Sequence, residues 1–234
     1  MEEEGLAHIV AHFDPSAYNS EATVGENLFF AATRSAGSGD ADITESPQVF
    51  DVLDSTQLSD MLYGMGLTIA ENLVEIFAGL PPDHPFYQQL ERITAEDVTF
   101  YQQFLQRLQA RTEKGVSEEE KRAIIRLSLH YIEPRYRLGV LTPQVMDTIV
   151  AARDRFYDNL PAAIRSRVER YDPHRYMAAA TLRENVLFGK LSYRVADAPA
   201  KVRPIAARIM DQQGLFESFI ALGLSFDVGS GGRR

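Results

Sequence analysis

The sequence has no cysteine, no tryptophan and no long apolar run among its 234 residues. Without cysteine there are no disulfides, thiolate metal sites or cysteine nucleophiles. No stretch approaches the roughly eighteen uncharged apolar residues of a membrane span, and the acidic start Met1–Glu4 is unlike a signal peptide. The net charge of −9 weighs against nucleic acid as the main partner. We therefore expect a soluble globular chain with no direct membrane insertion.

Basic residues are scarce in the first part of the chain. Residues 1–100 carry 18 acids but only two bases, Arg34 and Arg92, whereas residues 101–234 carry 15 acids and 22 bases. One interpretation is a basic face for phosphate or an acidic partner. The other, which we favour, is that the two halves neutralise each other within one fold, because oppositely charged halves of a compact chain attract.

The familiar catalytic motifs are missing as well. The pair Gly189-Lys190 lacks the upstream glycine of a phosphate loop, and there is no nucleophile elbow or H-E-x-x-H helix. His8 and His12 have the spacing of two metal ligands on one helix face, but two histidines are half a site. His130 and Glu133, three residues apart on a predicted helix, are an acid–base candidate, although such pairs are usually surface contacts. The sequence therefore predicts no self-contained active site.

The chain contains an internal repeat. Residues 13–30 and 171–188 match at a constant offset of 158, with eight of 18 positions identical, and residues 52–67 match 209–224 at an offset of 157. Two blocks in the same order with nearly the same spacing indicate a duplication. In the second copy Ser166 and Arg170 stand at the positions of His8 and His12, so the repeated unit does not require a metal there.

Both copies carry the same local signals. Each has an Asp-Pro turn followed by a T-x-x-E capping box, Thr23 with Glu26 and Thr181 with Glu184, which predicts the start of a short helix. A polar loop then leads to another helix start, at Ser46-Pro47 in the first copy and at Asp197-Ala-Pro199 in the second. We expect the helical stretch that follows to end near Gly64 to Gly66 in the first copy and near Gly223 in the second.

The residues between the copies indicate more helices. Capping signals at Thr94, Ser117 and Thr142 each precede apolar residues at spacings of three and four. These apolar stripes favour a helical core, and a ligand pocket between them is the alternative. The predicted fold class is all-α, an irregular multi-helix domain. Its segments are a lead-in (1–12), the first copy (13–70), a helical insertion (71–170), the second copy (171–229) and a tail (230–234), packed as one unit.

The second copy resembles a known family. Residues 181–189, TLRENVLFG, resemble the stretch that follows the Q-loop in the nucleotide-binding domains of bacterial ABC transporters, and residues 23–30 resemble it too. Residues 219–232, FIALGLSFDVGSGG, resemble the run just before the L-S-G-G-Q signature of that family. The residues between the copies, notably 80–86, LPPDHPF, and 131–139, YIEPRYRLG, look similar to helical insertions in a group of large bacterial ABC transporters. The resemblance implies a helical subdomain whose chain stops at Arg234, about where the signature begins.

The resemblance implies a function in coupling. Such a subdomain links ATP binding and hydrolysis in the parent protein to the transmembrane domain, its first partner, and faces the opposing nucleotide-binding domain, its second. ATP and Mg²⁺ are then cofactors of the parent, an ABC-type ATPase at the cytoplasmic face of the bacterial inner membrane, and neither cofactor nor catalysis is expected in this chain alone. The residues implied in coupling and interaction are Phe30, Phe188, Glu184, Asn185, Asp227, Val228 and Gly229. The alternative is a stand-alone helical module that binds another protein or senses a small ligand.

Overall fold

The computed structural model describes residues 8–33, 42–85, 87, 93–110 and 115–225, apart from the side chains of residues 219, 222 and 225. Helix makes up 60 % of the chain and strand 6 %, which confirms the predicted all-α class. The chain divides into two compact units. Residues 12–190 form the larger unit, and the remaining described residues belong to the smaller one.

The larger unit is built from nine described helices and a short 3₁₀ turn at Ile43–Glu45. The helices are α1 Val24–Phe29, α2 Pro47–Ser55, α3 Ser59–Ile76, α4 Ala95–Gln109, α5 Glu118–Leu129, α6 Glu133–Tyr136, α7 Pro143–Asn159, α8 Ala162–Arg165 and α9 Leu182–Leu187. Most of them begin where the sequence predicts. The predicted capping boxes are formed at α1, α4, α5 and α9, the hydroxyl of Thr142 caps α7, and α2 starts at Pro47.

The core of the larger unit lies where α3 packs against α4 and α5, and where α1 packs against α5 and α7. Leu62 and Ile69 of α3 and Ile124 of α5 are among its fully buried side chains. The buried hydroxyl of Ser128 donates a hydrogen bond to the carbonyl of Leu62 at 2.6 Å, which ties α5 to α3. The insertion therefore supplies most of the surface against which the first copy folds.

The predicted end of the first-copy helix near Gly64 to Gly66 is wrong, because α3 continues to Ile76. Gly66 does not end the helix but lies where α3 contacts α5. A Cβ built on it would lie 2.2 Å from the carbonyl oxygen of Ile124, so only glycine allows α5 to come this close. A glycine inside a helical pattern is as compatible with close packing as with a helix end, and the sequence does not distinguish the two.

Four strands of three residues each complete the described structure, and no sequence pattern predicts them. They are β1 Val10–His12, β2 Ala31–Thr33, β3 Val168–Arg170 and β4 Gly189–Leu191. β1 pairs with β4, and β2 pairs antiparallel with β3, with Ala31 opposite Arg170 and Thr33 opposite Val168. Three residues are too few for an alternating pattern to show, and the partner strands are more than 130 positions apart in sequence.

The strands also correct the histidine hypothesis. His12 lies in β1, so His8 and His12 do not share a helix face. The Nδ1 atom of His12 lies 3.1 Å from the carbonyl oxygen of Leu187. Among the described residues no group of three or more histidine, aspartate or glutamate side chains is placed to hold a metal ion.

The smaller unit contains α10 Ala198–Gln212 and α11 Phe216–Ser225. The first of these helices begins at the predicted position, with Pro199 in its first turn. The second continues through Gly223 to Ser225, close to its predicted end. Within this unit the backbone N–H of Ser192 donates to the carbonyl of Ile9 at 2.8 Å.

Candidate interaction surface

The matched blocks of the two copies fold into the same loop-and-helix motif within the larger unit. The Oδ1 atom of Asn27 accepts from the backbone N–H of Asn19 at 2.8 Å, and Oδ1 of Asn185 accepts from Met177 at 2.8 Å. The amide nitrogens of both asparagines then donate to three loop carbonyls, at 2.9, 3.4 and 3.0 Å in each copy. One asparagine thus closes each loop onto its helix, which explains why this residue type stands in both copies.

The helices of the two motifs begin and end alike. Each is preceded by its threonine–glutamate capping box and stops at a phenylalanine in the left-handed conformation, Phe30 at φ 45° and Phe188 at φ 44°. This conformation is uncommon for a bulky side chain and turns the chain sharply into the following strand. Repetition of the same strained residue shows that the turn is part of the motif.

A pseudo-twofold arrangement relates the two motifs. The backbone N–H of Phe13 donates to the carbonyl of Phe188 at 2.9 Å, and its counterpart Tyr171 donates to the carbonyl of Phe30 at 3.0 Å. The rings of Phe13 and Tyr171 stack at 3.7 Å between centroids, and each meets the phenylalanine of the other copy edge-on. The copies therefore share one aromatic cluster and fold against each other.

Lys190 links the two capping boxes. Its Nζ lies 2.9 Å from a carboxylate oxygen of Glu26 and 2.9 Å from one of Glu184. Burial works to lower the pKa of Lys190, but its interactions with Glu26, Tyr171 and Glu184 together outweigh burial and hold the pKa above its ordinary value. Burial works to raise the pKa of Glu184, but its hydrogen bonds with Lys190 and Thr181 and the charge of Lys190 together outweigh burial, so the carboxyl stays ionised to lower pH.

Among the described residues, the side chain of Arg153 in α7 donates its hydrogen bonds to the first copy. Its side chain is 3 % exposed and donates to the carbonyls of Asp14, Pro15, Ala17 and Asn27, and to Oδ1 of Asn27, at 2.7–3.0 Å. The guanidinium also lies 4.4 Å from the centroid of the Phe30 ring. An arginine on a neighbouring helix therefore completes the hydrogen bonding of the first loop.

The outer faces of the two motifs differ in what covers them. In the first copy Val24 is 0 % and Leu28 1 % exposed, because α5 and α7 pack on α1. Their counterparts Leu182 and Val186 are 37 % and 47 % exposed, and Tyr176 in the preceding loop is 62 % exposed. We call Tyr176, Leu182 and Val186 the second-copy face. It presents large apolar side chains at the positions where the first copy holds its neighbouring helices.

One position shows that the second-copy face cannot accept the same neighbours. Gly25 lies against α5, and a Cβ on it would be 3.2 Å from the carbonyl oxygen of Leu129. Arg183 occupies the equivalent position, is exposed and makes no hydrogen bond or ion pair with any residue the structure describes. A helix packed as closely as α5 would collide with this side chain.

The sequence-predicted site residues fall into three groups. Phe30 is buried in the shared aromatic cluster, and Phe188 packs half-buried against it. Glu184 and Asn185 are half-buried and hold the second motif together through the bonds described above. Asp227, Val228 and Gly229 lie outside the described residues.

The predicted acid–base pair is not formed. His130 ends α5 and lies 2.9 Å from the hydroxyl of Thr44, whereas Glu133 begins α6. The Glu133 carboxylate accepts from the Tyr131 hydroxyl and from the backbone N–H groups of residues 139–141. Glu133 therefore serves local structure, whereas His130 joins the end of α5 to the distant 3₁₀ turn at Ile43–Glu45.

The second-copy face was not predicted from the sequence. Apolar residues occupy its positions in both copies, so hydrophobicity alone does not tell a covered face from an open one. The readable signal is the change from Gly25 to Arg183, since a charged side chain in place of a packing glycine indicates an exposed position.

No protein-family model, curated protein or solved structure matches this chain. None of its described helices is both long and apolar enough to cross a membrane.

Proposed function

We propose that the chain is the helical subdomain of the nucleotide-binding domain of a bacterial ABC transporter. In this function it couples ATP binding and hydrolysis in the parent protein to the transmembrane domain, at the cytoplasmic face of the inner membrane. ATP and Mg²⁺ bind elsewhere in the parent. The proposal rests on the resemblance of residues 181–189 to the family and on one structural observation, the exposed apolar second-copy face, of which Leu182 and Val186 belong to that segment.

The first copy supports this proposal because it shows the motif with its partners in place. There, α5 and α7 bury the apolar side chains of α1. Leaving the same apolar positions open in the second copy costs hydrophobic stabilisation unless a partner covers them. An amphipathic helix is the fitting occupant, because apolar side chains one turn apart on α9 match a helix laid across them.

The residues beneath the face would keep it rigid. Phe188 packs into the shared aromatic cluster, Asn185 bonds to Met177 next to Tyr176, and Glu184 accepts from the backbone N–H of Thr181 at the end of the same loop. A surface that is already ordered loses little conformational entropy on binding, which favours affinity. Phe188, Glu184 and Asn185 are therefore proposed to support the contact with the transmembrane domain.

The first test is to determine the coding sequence on both sides of this segment. We expect a phosphate loop upstream of Met1 and an L-S-G-G-Q signature with a Walker B strand downstream of Arg234. A native stop codon directly after Arg234 would contradict the proposal and favour a stand-alone interaction module.

The second test is photo-crosslinking in the full-length protein in native membranes. A benzophenone amino acid replaces Val186, and a matched variant carries it at Leu108, another exposed apolar helical residue. We expect a crosslink from position 186, and none from position 108, to the transmembrane domain. Equal crosslinking from both positions would contradict a specific contact at the second-copy face.

A second candidate function is the sensing of a small ligand by helices α3 to α6. The observation that favours it is a cavity bounded by α3, α4, α5 and α6. The two functions are compatible, since the cavity and the second-copy face involve different residues.

A further inference from the structure

The cavity among the middle helices has the size of a small-molecule site. Its volume is about 350 Å³, and its lining comes from the middle helices and the 3₁₀ turn before α2. Ligand pockets occupy roughly 300–1,000 Å³ and combine apolar walls with a few polar groups. The volume is thus enough for a compact organic molecule and too small for a peptide segment.

Two polar side chains in the lining lack partners. The Nε atom of Arg126 is buried without a hydrogen bond, and its guanidinium makes no ion pair with any described residue. The hydroxyl of Tyr101 makes no hydrogen bond within the described chain either. Burial raises the pKa of Tyr101, so its hydroxyl stays protonated and available as a donor. An unpartnered guanidinium beside an unpartnered hydroxyl is a donor set for an anion.

Aromatic rings form much of the remaining wall. Phe100 and Tyr101 pack edge-on at 5.5 Å between centroids, and Tyr131 and Tyr136 stack at 5.5 Å. Ring walls of this kind favour a flat apolar body, which they contact over a large area. The lining therefore combines a surface for a ring with donors for a negative group.

Two acids also line the cavity, and neither offers an equivalent site for a cation. Asp97 already accepts hydrogen bonds from the backbone and hydroxyl of Thr94 in the capping box of α4. Glu45 is exposed, so water solvates its carboxylate. Arg126 is half-buried, its Nε is fully buried without a partner and no described carboxylate pairs with it, so its charge decides the sign of the ligand.

We propose that this cavity binds a small organic acid with a flat, unsaturated or aromatic body. Its carboxylate accepts hydrogen bonds from Arg126 and Tyr101, and its body lies against the tyrosine and phenylalanine rings. The inference is independent of the ABC assignment, because it uses only residues of the insertion and the helices beside it.

The test is calorimetric titration of the 234-residue chain with benzoate, benzamide and benzylamine. We expect benzoate to bind at least about tenfold more tightly than benzamide, because only benzoate offers the charged acceptor. Absence of benzoate binding at millimolar concentration, or tighter binding of benzylamine, would overturn the proposal.

Variants on one helix locate the binding. Arg126→Gln should weaken benzoate at least about tenfold and benzamide about twofold or less, since it removes the charge and leaves the walls. The matched control is Arg122→Gln, one turn earlier, whose guanidinium lies over the Phe50 ring outside the cavity and whose loss should change benzoate affinity less than about twofold. Ala123→Leu should abolish binding by filling the cavity while the circular dichroism spectrum stays unchanged. Unaltered benzoate binding in Arg126→Gln or Ala123→Leu would show that the acid binds elsewhere.

Discussion

The two copies of the loop-and-helix motif share a backbone but not an environment. The asparagine network, the capping boxes and the left-handed phenylalanines agree between them to within a few tenths of an ångström and a few degrees. The first copy is covered by α5 and α7, whereas Leu182 and Val186 of the second copy are exposed. The motif is thus specified by local hydrogen bonds, and its neighbours only decide how stable it is.

Of the substitutions that should affect the two copies differently, we expect the largest loss of stability from that of Arg153. Replacing it with Met removes one hydrogen bond from each of four carbonyl groups and one from Oδ1 of Asn27, which keeps the bond from Asn19, and we expect the free energy of unfolding to fall by about 4 kcal/mol. Urea denaturation measures the loss. Arg155→Met is the matched control on the same helix, with an exposed side chain and an expected change of about 0.5 kcal/mol or less.

Hydrogen exchange shows whether the effect is confined to one copy. In Arg153→Met we expect amides of the first loop, around Asn19, to lose protection relative to those of the second loop, around Met177. Equal loss of protection in both loops would mean that Arg153 stabilises the fold as a whole. The conclusion that this arginine stabilises the first copy more than the second would then be wrong.

The repeat-related glycines give the next largest contrast. Gly66→Ala places a methyl group against the backbone of Ile124, so α3 and α5 must separate, and we expect destabilisation by about 3 kcal/mol. Gly223→Ala meets no atom within 4 Å and should be neutral or stabilising by up to about 1 kcal/mol, since alanine favours helix. Thermal unfolding of both variants checks the sign. Destabilisation of similar size in both would show that Gly223 has a packing partner as Gly66 does.

The two loop-closing asparagines should differ by a smaller amount. Asn27→Ala leaves buried backbone groups without partners and should cost about 2 kcal/mol, whereas water can replace part of the lost bonding in Asn185→Ala, for which we expect about 1 kcal/mol. Chemical denaturation at constant pH measures both. A larger loss for Asn185 than for Asn27 would contradict the idea that burial makes the first copy more dependent on this residue.

The sequence was informative where a few neighbouring residues decide the structure. Thr94, Ser117 and Thr142 satisfy helix N-termini through their own hydroxyls, so these helix starts could be predicted within a residue. The repeat likewise predicted two equivalent motifs, because the asparagine and the capping glutamate bond to residues no more than eight positions away in the sequence.

The sequence was uninformative where distant segments meet. The pairing of β2 with β3, the five hydrogen bonds of Arg153 and the close approach at Gly66 all join residues that are more than 50 positions apart. The residue types of Val24 and Leu182 do not show that the first is covered and the second exposed, since both are apolar residues at the start of a capped helix. The candidate surface therefore required the structure, although the arginine at position 183 was a clue.

The smallest expected effect tests the lysine that joins the two copies. Glu184→Gln keeps the capping box, because glutamine also serves at that position, but removes the ion pair with Lys190. We expect a loss of about 1 kcal/mol at neutral pH, and Glu26→Gln, which removes the matching contact in the first copy, should lose a similar amount.

The pH dependence of the unfolding free energy shows whether Glu184 stabilises the fold through its charge or only through its capping hydrogen bonds. The pKa of Glu184 is lowered in the folded chain, so its contribution to stability is complete above the ordinary value of 4.5 and is lost as the pH falls through the folded pKa. The pKa of Lys190 is raised, so its contribution is complete below the ordinary value of 10.5 and is lost as the pH rises through the folded pKa. Unfolding free energies of wild type and Glu184→Gln should therefore differ most between these limits and converge in acid. Parallel curves down to pH 3 would show that the charge of Glu184 does not contribute, and that the two copies are held together by the aromatic cluster and the strands alone.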